Sequence, residues 1–78
     1  MKEPTINDII KLVQLQLGKQ SVSENDKLVQ DLGAESADIA NIVAVAEERY
    51  QITFRESEIA KIFTPKDIYN LVHLKLHA

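Results

Sequence analysis

DLGAESADIANIVAVAEERY, from Asp31 to Tyr50, holds a turn followed by a helix. Ile39, Ile42, Val43, Ala46 and Tyr50 recur at helical spacing on a stripe about 100° wide. The opposite side carries Ala37, Asn41, Ala44, Val45 and Glu48, with Asp38 and Glu47 flanking it. The spacing predicts a helix over 36–50, and the alanines agree with it, because Ala is the strongest helix former. Leu32 and Gly33 come just before, so a turn delivers Ser36 to the helix start between two carboxylates, Glu35 and Asp38.

The flanks read as further helices. Thr5 is placed to cap a helix over 6–17, with Asp8 completing a capping box. Ile6, Ile9, Ile10, Val13 and Leu17 form its apolar stripe, and Gly18 stands where a C-terminal glycine ends a helix. Leu12 and Leu15 fall off that stripe, so this helix buries a second face or leaves apolar surface in water. Residues 19–33 have no clean period and are long for a helix connection. Val22, Leu28 and Leu32 are expected to pin this loop to the core.

Downstream, the run Gln51 to Phe54 has the composition of a strand but no partner strand, so a linker that buries Ile52 and Phe54 is expected. Residues 56–62 predict a short third helix of about two turns, with Ile59 and Ile62 inward. Thr64-Pro65-Lys66-Asp67 is the sharpest boundary: a cap, a proline at the first helical position and an acid completing the box. A fourth helix follows on Ile68, Leu71 and Val72 and fades around Leu74. The expected fold is all-α, a four-helix bundle of three main helices and one short one, forming a single domain over 1–78.

Composition narrows the chemistry. The 78 residues include no cysteine, which excludes disulfides and Cys-based metal sites. No apolar run reaches the roughly 18 residues of a membrane span. With no signal-peptide core at the N-terminus, the cytoplasm is the expected location. Net charge is −3. Residues 31–58 hold seven acids against two bases, net −5, while the remainder holds five acids against seven bases, net +2. An acidic middle argues against nucleic acid and favours partners with basic docking patches.

An active site is hard to assemble. GAESA around Ser36 is not the G-x-S-x-G nucleophile elbow, and no histidine is placed by sequence to serve it as base. Glu47 and Glu48 are adjacent and point to different sides of the helix, as a solvated edge does. His73 and His77, four apart, have the spacing of a metal pair, but with no third ligand nearby in sequence they read as solvated groups suited to a helix C-terminus. No catalytic residue and no metal site is expected. A plain helix-starting serine is one reading of Ser36. The other is a hydroxyl modified by a separate enzyme, where a phosphodiester would meet the positive end of the helix dipole.

The chain resembles the acyl carrier protein family. That family's hallmark is an Asp-Ser-Leu turn after a Leu-Gly, opening an acidic second helix; here the segment reads Asp31-Leu32-Gly33-Ala34-Glu35-Ser36-Ala37-Asp38. Ala46-Glu47-Glu48-Arg49-Tyr50 is similar to the end of the family's second helix, 52–62 to its short third helix, and 64–72 to its capped fourth. The resemblance implies 4′-phosphopantetheine on Ser36, donated from coenzyme A by a phosphopantetheinyl transferase. It implies a monomer that catalyses nothing, carries acyl groups as thioesters in fatty acid, polyketide or specialised lipid biosynthesis, and docks on acyl-loading and acyl-processing enzymes. The docking residues implied are Glu35, Ala37, Asp38, Asn41, Ala44, Val45, Glu47 and Glu48. The absence of cysteine fits, since the thiol would come with the arm. Three departures stand out: Glu35 for Asp, Ala37 for Leu, and Asn41 where many members carry an acid. They suggest a specialised carrier with few partners. The alternatives are an aminoacyl or peptidyl carrier, and an unmodified helical interaction domain.

Overall fold

The computed structural model describes residues 3–78. Four helices follow in order: α1 (Ile6–Leu17), α2 (Ser36–Tyr50), α3 (Glu56–Ile59) and α4 (Pro65–Leu76). No strand occurs among the described residues, and Gln51 to Phe54 is a linker, as its isolation required.

The caps are those the sequence specifies. The Asp8 N–H donates to Thr5 Oγ1 at 3.2 Å, and the Thr5 N–H donates to Asp8 Oδ2 at 2.9 Å. At α4 the same exchange joins Thr64 and Asp67, at 3.0 and 3.2 Å. Gly18 ends α1 at φ 64°, a left-handed conformation that glycine adopts without penalty. Gln51 does the same for α2 at φ 55° despite its side chain.

α1 packs against both α4 and α2. That explains Leu12: it lies off the first stripe yet is fully buried, because α1 has two covered faces. Leu15 is 76% exposed and supplies the uncovered apolar surface. The core runs through Ile9, Leu12, Val13, Ile42, Val43, Ala46, Ile62, Ile68 and Val72. Ile39 is only half-buried, at the edge of the α2 stripe.

Two boundaries differ from expectation. α3 is a single turn, not two. After Ile59 the chain tightens into three-residue turns, with Lys61 N–H on the Glu58 carbonyl and Ile62 N–H on the Ile59 carbonyl, both at 3.1 Å. Thr64 must be extended to cap α4, and Asp67 already takes the Phe63 N–H at 2.9 Å. The chain therefore leaves the helix early, with Ile62 buried and Ile59 half-buried. α4 runs two residues past Leu74, to Leu76.

α3 is too short to hold itself. Its Glu58 accepts the Arg55 N–H at 2.7 Å and pairs with Lys75 of α4 at 2.8 Å. The same Lys75 ammonium sits 5.8 Å from the centre of the buried Phe54 ring. One lysine thus ties the linker and α3 to α4.

Candidate functional site

The loop before α2 is long but firmly placed. Leu28 is fully buried, Leu32 and Ala34 nearly so, and Val22 half-buried, so the expected pins hold. The Leu28 N–H donates to the Phe63 carbonyl and the Ala34 N–H to the Leu28 carbonyl, both at 2.8 Å. The Lys66 N–H reaches the Glu24 carbonyl at 3.0 Å. The loop is thereby sewn to the junction between α3 and α4. Within it, Asp31 accepts the Lys27 N–H at 2.8 Å and closes a tight turn. Gly33 follows at φ 70°, where a side chain would be strained.

This frame presents Ser36 to solvent at the first residue of α2. Glu35, not Ser36, is the N-cap, with extended backbone at φ −100° and ψ 170°. The Glu35 N–H donates to Asp38 Oδ2 at 2.8 Å. Ser36 therefore stands at the first helical position and not at the cap, and the Glu35 side chain makes no cap hydrogen bond. Asp38 is half-buried and engaged in fixing the turn, which gives this carboxylate a task beside a site that would otherwise suit anions. The first-turn N–H groups of a helix lack intrahelical partners and favour negative charge there. A solvent-facing hydroxyl at that position, reachable by another protein and set at the positive helix end, fits attachment of a phosphodiester-linked arm.

The rest of the outer face of α2 divides. Glu35, Ala37, Asn41, Ala44 and Glu48 are exposed. Val45 is half-buried and leans on the core. Glu47 is half-buried, and its Oε2 accepts the Phe54 N–H at 2.8 Å, seven residues on. Nothing in the pattern of α2 marks that bond, because its partner lies in the linker. Val45, Glu48 and Arg49 line a shallow depression on this helix.

His73 of α4 and His77, the residue that caps its end, are not simply solvated. Glu3, some seventy residues away in sequence, places Oε1 2.8 Å from His73 Nδ1 and 2.8 Å from His77 Nε2. These bonds, His77's first, hold the Glu3 carboxyl below its ordinary value. Spacing along one helix reveals the histidine pair but not a third group from the far end of the chain.

A family model described as a phosphopantetheine attachment site matches residues 7–72. An acyl carrier protein of Wolinella succinogenes is 35% identical over 68 residues, covering 85% of this chain and 90% of that one. An acyl carrier protein of Campylobacter concisus is 30% identical over 67 residues, 86% of each chain. Among solved structures, an acyl carrier protein of Thermotoga maritima superposes with a TM-score of 0.77 at 27% identity, covering 92% of this chain and 86% of that one. A putative acyl carrier protein of Mycobacterium tuberculosis gives 0.83 at 24% identity, covering 88% and 95%, a likeness of fold. With its four helices, its solvent-facing serine turn and these relatives, the chain belongs to the acyl carrier protein family, whose members carry covalently attached 4′-phosphopantetheine.

Proposed function

We propose that Ser36 is the attachment residue, modified by a phosphopantetheinyl transferase using coenzyme A. The observation that carries this reading is the exposure of Ser36 at the first position of α2, on a turn fixed by Asp31, Asp38 and the buried Leu28. When bound, 4′-phosphopantetheine supplies a thiol that holds an acyl group as a thioester. The protein's own part is to present and steer. The hydroxyl oxygen of Ser36 gives up its proton and bonds to the pantetheine-bearing phosphorus of coenzyme A, while the diphosphate bond breaks and adenosine 3′,5′-bisphosphate leaves. The exposed Glu35, Ala37, Asn41, Ala44 and Glu48 face the partner, with Asp38, Val45 and Glu47 supporting that face from its edges.

The acidic outer side of α2 suits enzymes with basic docking patches, where complementary charge sets encounter rate and specificity. Among the described residues no helix is long and apolar enough to cross a membrane. The carrier serves fatty acid or related acyl-thioester biosynthesis, with the cargo chosen by the loading enzyme. Ala37 removes a bulky contact beside Ser36, and Asn41 removes a charge, which supports a restricted partner set.

Incubation with coenzyme A and a broad-specificity transferase should add one phosphopantetheine per chain, and Ser36→Ala should abolish the addition. A folded wild-type protein that gains nothing would instead favour an unmodified interaction domain. Loading and elongation by a general fatty acid synthase system as fast as on its own carrier would refute the restricted partner set.

A further inference from the structure

We propose that Glu3, His73 and His77 form a binding site for a divalent transition-metal ion of the zinc type, joining the segment before α1 to the last turns of α4. The inference is independent of the reading of Ser36.

The donor atoms already converge. Glu3 Oε1 lies 2.8 Å from His73 Nδ1 and 2.8 Å from His77 Nε2, and the three donors lie within 4.8 Å of one another. Two histidines one helical turn apart place their rings on the same face; here the ring centroids are 4.3 Å apart. Tyr69, one turn earlier, stacks on His73 at 5.9 Å and helps to fix that ring. Zinc binds imidazole nitrogen and carboxylate oxygen at about 2.0–2.2 Å, so tetrahedral ligands stand roughly 3.4 Å apart. The two carboxylate–imidazole separations of 2.8 Å need open by only about half an ångström to admit the ion.

The donor set also selects the metal. Two imidazoles and one carboxylate suit zinc, copper or nickel, whereas magnesium and calcium take oxygen ligands. The three side chains are exposed, so an ion enters without unfolding the bundle and water completes its coordination. Ion binding would replace the present carboxylate–imidazole hydrogen bonds with stronger bonds at the same place. It would clamp the approach to α1 onto α4, two helices that already pack together.

Isothermal titration of the full chain with zinc chloride at neutral pH should show one ion per chain, undisturbed by excess magnesium. His73→Ala, His77→Ala and Glu3→Gln should each weaken binding about ten- to a hundredfold, at least what losing an outer-shell partner costs. Ring resonances of His73 and His77 in the wild type should shift on zinc addition, a readout that needs no variant to fold. Absence of zinc binding by the wild type would overturn the proposal. So would zinc binding that survives all three substitutions with the two histidine resonances unmoved.

Discussion

The carboxylate of Asp38 holds the backbone N–H of Glu35 at 2.8 Å, and between those two residues lies the exposed Ser36. The acid beside the proposed attachment residue thus shapes the turn that carries the hydroxyl. Asp38→Ala should lower stability by about 1–2 kcal/mol through loss of a charge-assisted bond and of a favourable helix-dipole contact. It should also slow transferase labelling of Ser36, with Asp38→Asn intermediate because it keeps an acceptor. Urea melts and labelling rates read the two effects separately.

Glu47 and Glu48 are neighbours with different tasks. Glu47→Ala leaves the part-buried Phe54 N–H without its acceptor, and should cost about 1–3 kcal/mol in a urea melt. Glu48 is exposed, so Glu48→Ala should change stability by less than about 0.5 kcal/mol. Its effect should fall on the rate of encounter with basic partners and should fade with salt.

The inner stripe of α2 is core. Ile42 is 1% exposed, and Ile42→Ala should destabilise by about 2–5 kcal/mol, a large share of what a small domain holds in reserve. A change near zero would mean that α2 is rotated from the position described.

Stability should fall in acid partly through Glu58. The Arg55 N–H and then the Lys75 ammonium hold its carboxyl below the ordinary 4.5. Because the folded value is the lower one, this contribution is complete above the unfolded value. It disappears as pH drops through the folded value. In melts taken from neutral to acid pH, the wild type should exceed Glu58→Gln at neutral pH, and the gap should close below the ordinary carboxylate range.

Much of this was legible in the residues. α1 and α2 were bounded by Thr5, Gly18 and the stripe ending at Tyr50, since caps and helical spacing are local signals. α3 is shorter than its local sequence predicts because the demands of Thr64 and Pro65 reach back and shorten the preceding helix. Leu12 looked misplaced only because one stripe cannot report two packing partners. At the candidate site, the exposure of Ser36, Ala37, Asn41, Ala44 and Glu48 could be read from the turn and the outer face of α2. The bonds from Glu47 to Phe54 and from Glu3 to the histidines could not, for each joins residues that no periodic pattern relates.

The decisive measurement is intact-mass analysis with fragmentation of the protein purified from its source cells. One phosphopantetheine, with or without acyl cargo, mapped to Ser36 is the expected result. A wholly unmodified chain, or an arm on any other residue, would contradict the assignment.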